Sequence, residues 1–206
     1  MGAELQTVPL PVGDYVLVDD RVADVLKRKE ARGIPVKKMD LSGSYTVSVD
    51  TKRDIQEAIG NICGKQHDRF RDECILAMNN GITLYVLVEN EDGISCLSDL
   101  YAWENPRRRM QKWTTTPSGE RRKVLLSPNA TKGETLAKAI ETMEQKYGVK
   151  FLFCKPEEAG AMILKLLEVG NGRKTYDVKK IIDSDDIYRN AIVITSIVFS
   201  PVVKSG

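Results

Sequence analysis

Short apolar runs alternate with amphipathic stretches along most of this chain, and this alternation is the feature that most constrains its fold. Apolar runs at Tyr15–Val18, Leu84–Val88 and Phe151–Phe153 are typical of buried strands. Apolar residues recur at helical spacing in the stretches that contain Ile55 and Phe70. Strands that alternate with helices predict an α/β core with a central mixed, mainly parallel sheet flanked by helices.

Local signals predict further elements between these runs. Ile34–Val36 opens a strand that runs toward Leu41, and Pro35 puts this strand at an edge or stands at its first residue. Thr131 and Glu134 have the spacing of a capping box, so we expect a helix to begin there.

Composition is typical of a soluble globular protein, with 206 residues, 42% hydrophobic and 29% charged. The formal net charge is +2, so binding of nucleic acid requires local clustering of basic residues. The four cysteines form no C-x-x-C pair, which argues against a zinc site and a disulfide framework and favours a reducing compartment. We expect a cytoplasmic protein without a membrane span, because the longest apolar run, Ala191–Phe199, is too short for one.

The stretch Ser44–Lys52 alternates polar and apolar residues and ends in Asp50-Thr51-Lys52. Alternation at period two predicts a half-buried strand, on which Asp50 and Lys52 share one face. This pairing suits phosphodiester hydrolysis, because a carboxylate holds a divalent cation and an ammonium stabilises charge on the phosphate or orients water. The alternative is a surface ion pair on an exposed face of the sheet.

Other polar residues near strand and helix ends are candidates for the same site. Asp19 ends the first strand and is either a metal ligand or the N-cap of the next helix. Glu89 ends a later strand and either enters the metal shell or caps a loop. Gln66, His67 and Arg69 crowd one short stretch, where they either contact phosphate and orient water or form a solvated helix face.

The order of these motifs resembles the nuclease domain of the XPF-type structure-specific endonucleases, over the segment from Tyr15 to Asn90. The shared motifs are, in order, Asp19-Asp20-Arg21, Gly33-Ile34-Pro35-Val36, Leu41 to Tyr45, Asp50-Thr51-Lys52, Arg69-Phe70 and Leu87 to Glu89. The run from Gly60 to Phe70 is similar to a short branch of this family carried by bacteria and their phages.

This resemblance implies a restriction-endonuclease-like core and hydrolysis of branched or single-strand-containing DNA, in DNA repair or recombination. It implies Mg²⁺ or Mn²⁺ as the cofactor and DNA as the partner. The catalytic residues that it implies are Asp50 and Lys52. The metal ligands that it implies are Asp19, Asp50 and Glu57.

The family pattern is Gly-Asp-x(n)-Glu-Arg-Lys-x3-Asp, and this chain departs from it. Ser44 stands at the first acidic position, Asp50 replaces the Glu, Thr51 replaces the Arg and Gln56 replaces the last Asp, so that only Lys52 is identical. Ser44 is a poor ligand for a hard cation, and the loss of one carboxylate weakens metal binding. Either the remaining acids suffice, or this chain does not cleave.

A basic loop from Asn105 to Asn129 is the second strong feature. Basic side chains with aromatic residues between them suit phosphate contact and base stacking, and the alternative is an ordinary solvated loop. The residues predicted to contact nucleic acid here are Arg107, Arg108, Arg109, Lys112, Trp113, Arg121, Arg122 and Lys123.

We predict one nuclease-like domain over residues 1–170 and a C-terminal extension of unknown role over residues 171–206. The apolar run Ala191–Val198 either adds an edge strand to the sheet or forms a contact in a homodimer. The acidic turn Asp183–Asp186 lacks the ligand spacing of a calcium loop.

Three functions remain open from the sequence. The first is a metal-dependent DNA endonuclease, which requires Asp50 and Lys52 to lie beside Asp19 on one side of the sheet. The second is a non-cleaving protein of the same fold that binds DNA or a protein partner, with Ser44 as its mark. The third is an interaction protein with no role on nucleic acid.

Overall fold

The computed structural model describes residues 4–170 and 197–200. Its strands are β1 (Glu4–Gln6), β2 (Tyr15–Leu17), β3 (Val47–Lys52), β4 (Thr83–Glu89), β5 (Gln111–Thr115), β6 (Arg121–Leu125), β7 (Lys150–Cys154) and β8 (Ile197–Ser200). Its α-helices are α1 (Asp20–Ala31), α2 (Ile55–Ile62), α3 (His67–Asn79), α4 (Leu97–Ala102), α5 (Gly133–Tyr147) and α6 (Ala159–Gly170). Short 3-10 helices span Lys38–Leu41, Pro106–Arg108 and Pro156–Glu158.

Six strands form the central sheet, in the order β1-β8-β2-β3-β4-β7. Strands β3, β4 and β7 are parallel neighbours, and β8 runs parallel to β2. Strand β2 pairs antiparallel with β3, and β1 pairs antiparallel with β8. The prediction of an α/β fold with a mixed, mostly parallel sheet flanked by helices is confirmed.

Helices cover both faces of this sheet, so β3 is buried on both sides. On one face, Val47 and Val49 pack with Ile163 and Leu167 of α6. The opposite face of the sheet carries the larger core, which includes residues of α1, α2, α3 and α5. The period of two in β3 is confirmed. The prediction that the strand is half-buried was wrong, because its polar residues Ser48, Asp50 and Lys52 are buried as well.

The segment before β2 lies across the polar face of β3. Val12 is fully buried in the larger core, and its carbonyl oxygen accepts hydrogen bonds from the Ser48 hydroxyl at 2.8 Å and the Tyr45 hydroxyl at 3.1 Å. Gly13 follows with a φ of 71°, in the left-handed region that favours glycine. These contacts hold the segment before β2 against the polar face of β3, next to Ser48.

Helix α1 begins where local capping chemistry places it. The Asp19 carboxylate accepts hydrogen bonds from the backbone N–H groups of Arg21 and Val22, both at 3.1 Å. This geometry satisfies donors that the first helical turn leaves free. Val22 and Leu26 then point into the larger core, so one apolar stripe holds the helix on the sheet.

Two local predictions were wrong. Residues 34–37 form no strand, and a 3-10 helix over Lys38–Leu41 follows them. Helix α5 begins at Gly133 with Lys132 at its N-cap and without a side-chain cap, so Thr131 and Glu134 do not form the expected capping box. At Gly133 an added Cβ atom would collide with the backbone oxygens of Leu100 and Trp103. A residue with a side chain therefore does not fit at the first position of α5.

The prediction of a basic loop over residues 105–129 was wrong in its local structure. Strands β5 and β6 pair antiparallel there and form a separate two-stranded sheet, a β-hairpin that closes through Thr116–Glu120. We call residues 105–131 the hairpin arm.

The C-terminal extension contributes a strand within the described residues. Ile197–Ser200 lies between β1 and β2 in the sheet. The described end of the run predicted at Ala191–Val198 is therefore part of an inner strand rather than an edge strand. The acidic turn at Asp183–Asp186 lies outside the described residues. Within the described residues, no helix combines the length and the apolar character needed to cross a membrane.

Replacing Gly13 by alanine tests the close approach of this segment to β3. We expect Gly13→Ala to lower the free energy of unfolding by roughly 3 kcal/mol or more, because a left-handed backbone costs about 1–2 kcal/mol and the added Cβ atom collides with Ser48 Oγ. Urea unfolding measures the change. Gly33→Ala is the matched control, since Gly33 has a φ of 61° and open space around it. Equal losses for both variants would contradict the tight fit at Gly13.

Candidate active site

Asp50 and Lys52 lie side by side in the interior of the protein, each only 5% exposed. The Lys52 ammonium donates a hydrogen bond to Asp50 Oδ2 and forms an ion pair with it. The ammonium also lies 5.2 Å from the centre of the Phe70 ring, over its face. The alternative of a surface ion pair on an exposed sheet face was therefore wrong. A buried charge pair is costly to desolvate, which marks this position as unusual for a purely structural contact.

Two further carboxylates, those of Asp14 and Glu73, come from other parts of the chain and lie close enough to Asp50 to influence its charge. Strands β2 and β3 are antiparallel with Tyr15 opposite Val49, so Asp14 falls opposite Asp50. The Asp14 carboxylate accepts hydrogen bonds from the Thr51 backbone N–H at 3.0 Å and from the Thr51 hydroxyl at 3.1 Å. Glu73 reaches in from α3 and accepts the Gly13 N–H at 2.8 Å.

These surroundings change the acidity of Asp50. Burial raises the pKa of Asp50 to about 7; the Lys52 ammonium opposes this rise, while the carboxylates of Asp14 and Glu73 add to it. A bound proton or a cation therefore stabilises this group of carboxylates near neutral pH.

Asp19, predicted as a metal ligand, does not lie beside Asp50. Because β2 runs antiparallel to β3, the end of β2 near Asp19 lies at the opposite end of β3, about 16 Å of strand away. The Asp19 carboxylate instead caps α1 and pairs with the Arg21 guanidinium at 3.3 Å. The expectation that Asp19 joins Asp50 and Lys52 was wrong, so the endonuclease hypothesis fails in the form that required Asp19 beside them. Asp14, at the other end of β2, lies near Asp50 instead, and a nuclease site here would have to use Asp14 in place of Asp19.

The hydrogen bonds of Ser44 and Glu57 are made to residues other than Asp50 and Lys52. Ser44 is buried before β3, and its hydroxyl donates a 2.7 Å hydrogen bond to the Leu41 carbonyl oxygen. Glu57 lies in the first turn of α2 and accepts the Arg53 backbone N–H at 3.1 Å. Burial, and secondarily the charge of Glu57, raises the pKa of Glu89 at the end of β4.

Neither Asp14 nor Glu73 was predicted from the sequence. A signal for Asp14 was present, because Gly13-Asp14 is a Gly-Asp dipeptide upstream of Asp50-Thr51-Lys52, as in the family pattern. Glu73 carries no such signal, since it is one of several acidic residues on the polar side of α3.

The described residues contain no ready-made cage for a metal ion: no three histidine, cysteine or carboxylate groups are gathered in an arrangement that could hold one. Mg²⁺ usually binds through one or two carboxylates and keeps several waters, so such a cage is not required. The carboxylates of Asp14, Asp50 and Glu73 offer hard oxygen atoms with excess negative charge, the donor chemistry that Mg²⁺ and Mn²⁺ prefer, but the three are not gathered around one point.

The hairpin arm is fixed beside this site by one buried side chain. Asn105 is 1% exposed; its amide oxygen accepts hydrogen bonds from Gln56 Nε2 at 2.9 Å and from the Arg107 N–H at 3.1 Å. Its amide nitrogen donates to the Thr131 carbonyl oxygen at 2.8 Å, which joins the two ends of the arm. Gln56 lies in the first turn of α2, shortly after Lys52, so the base of the arm is anchored near the Asp50–Lys52 pair.

The basic residues of the arm are exposed or half-buried. Arg108 is the half-buried one and donates to the Ala130 carbonyl oxygen at 2.9 Å, and Arg109 pairs with Glu104. The exposed members are Arg107, Arg109, Lys112, Arg121, Arg122 and Lys123. Most of these cations are thus presented to solvent, as contact with a polyanion requires.

The stretch Gln66–Arg69 forms the start of α3. The Arg69 guanidinium donates to the Gln66 side chain at 3.1 Å, and both residues are exposed. His67 Nδ1 lies 2.7 Å from the Ile62 carbonyl oxygen, a contact that holds the turn between α2 and α3. His67 therefore has a structural partner, whereas Gln66 and Arg69 remain open to a ligand.

Comparison with family models, curated proteins and solved structures finds no match for this chain.

The pH dependence of stability tests the environment of Asp50. Its raised pKa contributes stability below about pH 4 that is lost as the pH rises through about 7. Without divalent metal, we expect Asp50→Asn to gain stability relative to the wild type by about 1 kcal/mol per pH unit from about pH 5 to about pH 7, and then to level off. Urea unfolding at each pH measures this difference.

Asp99→Asn is the control for this titration. Hydrogen bonds from Ser95 and Cys96 lower the pKa of Asp99 to about 2, so its variant should differ from the wild type by a constant amount over the same range. A flat difference for Asp50→Asn as well would contradict the raised pKa.

Proposed function

We propose that this protein is a divalent-metal-dependent endonuclease that hydrolyses phosphodiester bonds in DNA. The observation that carries the proposal is the buried Asp50–Lys52 pair with the negative charges of Asp14 and Glu73 near it, together with an arm rich in exposed cations that is hydrogen-bonded to the helix after Lys52. Carboxylates, an ammonium and a basic surface are the groups that phosphodiester hydrolysis needs. The resemblance to XPF-type nucleases adds support, together with a restriction-endonuclease-like core, as part of the same proposal.

The residues divide the chemistry between them. Asp50 and Asp14, with Glu73, would hold Mg²⁺ or Mn²⁺, and the bound ion would supply a water-derived nucleophile and polarise the phosphate. Lys52 stabilises the negative charge that develops on the phosphate oxygens. Its effect is large because burial keeps the local dielectric low. The Phe70 ring and Asp50 hold the ammonium in position for this role.

The proposal also includes a cellular compartment and a DNA substrate. Cys63, Cys74, Cys96 and Cys154 are all free thiols, which supports a reducing environment such as the cytoplasm. Branched or single-strand-containing DNA is the substrate that the family resemblance favours, and the exposed arm gives the chain a surface for it.

Cleavage by charge-neutral variants tests the assignment of the acidic residues. With flap and fork DNA in Mg²⁺ or Mn²⁺, we expect Asp50→Asn, Lys52→Ala and Asp14→Asn each to lower the cleavage rate by roughly 100-fold or more. Asp14→Asn keeps an oxygen that accepts the Thr51 N–H, so the loss reports the charge. Asp19→Asn is the matched control at the other end of β2, and it should keep its cleavage rate. The proposal fails if the wild type does not cut, or if Asp19→Asn loses as much as Asp14→Asn.

Metal binding has a readout that does not depend on cleavage. We expect Mn²⁺ to raise the thermal midpoint of the wild type, because an ion that binds only the folded state stabilises it. Asp50→Asn should show little of this shift, and Glu57→Gln should show the wild-type shift. If Mn²⁺ stabilises Asp50→Asn as much as the wild type, Asp50 is not a ligand.

A second candidate is a non-cleaving protein of the same fold that binds DNA. The observations that favour it are the absence of a ready-made metal cage among the described residues and the hydrogen bonds that already engage Asp14 and Glu73. Salt-sensitive DNA binding without cutting, and without a Mn²⁺ shift, would select this candidate. Ser44→Asp would not restore cutting in either case, because the new carboxylate would face the Leu41 carbonyl oxygen in the interior.

A further inference from the structure

Trp113 is the largest exposed side chain of the hairpin arm, with 58% of its surface open to solvent. It lies opposite Lys123 in the β5–β6 register, and Arg121 lies on the same face of the hairpin. The Lys123 ammonium lies 5.3 Å from the centre of the Trp113 ring, and the Arg121 guanidinium carbon lies 5.5 Å from it. One face of the hairpin therefore presents an aromatic plane with two cations beside it.

The packing of the core does not account for this tryptophan. Among the strands that the structure describes, β5 and β6 pair only with each other, and their residues are exposed apart from the half-buried Thr114 and Val124 on the other face. The contacts between the Trp113 ring and the two cations stabilise the hairpin by about 1 kcal/mol at these exposed positions. A gain of this size does not explain why the hairpin keeps the large apolar ring of Trp113 exposed to water. A ligand with its own flat, apolar face would use that surface.

A groove of about 620 Å³ lies at the base of the arm. Leu125, on the same hairpin face as Trp113, lines it together with the cations Arg108 and Lys132 and the carboxylates Glu104 and Glu134. Asn105, which also lines the groove, binds Gln56 in α2, the helix that follows Lys52. The base of the arm is thus attached to the helix next to the candidate active site.

Charge alone does not distinguish between polyanions, but the aromatic plane does. In double-stranded DNA the faces of the bases are stacked on one another, so a tryptophan reaches them only at an end or a junction. In single-stranded DNA every base has an accessible face, and stacking on an aromatic side chain is tolerant of sequence.

We propose that the hairpin arm binds an unpaired strand of DNA by stacking a base on Trp113, while Arg121 and Lys123 contact the adjacent phosphates. This deepens the proposed function and relies on DNA as its substrate. It assigns single-stranded DNA next to the cleavage site as the feature that the arm recognises. The duplex part of a branched substrate would then lie toward Asp50 and Lys52.

The test uses the full chain with a chelator, so that binding is measured without cleavage. Affinities for a fluorescent oligothymidylate and for an oligonucleotide of the same length without bases are compared by anisotropy. We expect the wild type to bind the oligothymidylate more tightly, and Trp113→Ala to lose roughly 5- to 100-fold on it. Trp113→Ala should lose little on the strand without bases, and Trp113→Phe should recover most of the affinity.

Lys112→Ala is the matched control, since Lys112 lies on the opposite face of the hairpin and its loss removes charge without removing stacking. It should weaken binding to both strands by the same factor. The proposal is overturned if Trp113→Ala weakens binding to both strands equally, or if the wild type binds duplex or an acidic polypeptide as tightly as the oligothymidylate.

The two proposals fail in different measurements. Loss of base-dependent binding in Trp113→Ala, with no cutting by the wild type, would support the arm and overturn the nuclease. Cutting that depends on Asp50, with binding that ignores the bases, would support the nuclease and overturn the role of Trp113.

Discussion

The burial of the Asp50–Lys52 ion pair is the constraint on which the rest of this structure depends. Removing two charges from water is costly, and the pair is kept because each charge neutralises the other and Phe70 covers the ammonium. Asp14 and Glu73 add negative charge that the single ammonium does not balance. The fold therefore keeps half-buried carboxylates close to a buried ion pair, which is unfavourable for stability.

The antiparallel pairing of β2 with β3 decides which acidic residues belong to this group. Asp14 and Asp19 flank the same short strand, and either one could accompany Asp50 on grounds of sequence alone. The register brings Asp14 next to Thr51 and leaves Asp19 to cap α1 at the other end. Gly13 makes the close approach feasible, because a side chain at this position would collide with Ser48.

The arm extends the same site outward. The side chain of Asn105 hydrogen-bonds to Thr131 at the other end of the arm and to Gln56 in α2. These two hydrogen bonds hold the base of the hairpin on the helix that follows Lys52. Pairing of β5 with β6 then sorts the basic residues into two faces, and only one of them carries Trp113. The cations of this stretch are thereby divided between a face that carries Trp113 and a face that carries no aromatic side chain.

The sequence by itself determined the strands and helices with strong periodicity, the α/β class, the shared face of Asp50 and Lys52, and the basic character of residues 105–129, because these depend on spacing and composition. Only the tertiary structure decided that the polar face of β3 is buried, that Asp14 rather than Asp19 lies near Asp50, and that the basic stretch is a hairpin. Strand direction, register and burial depend on contacts between residues far apart in the chain, and local patterns do not record them.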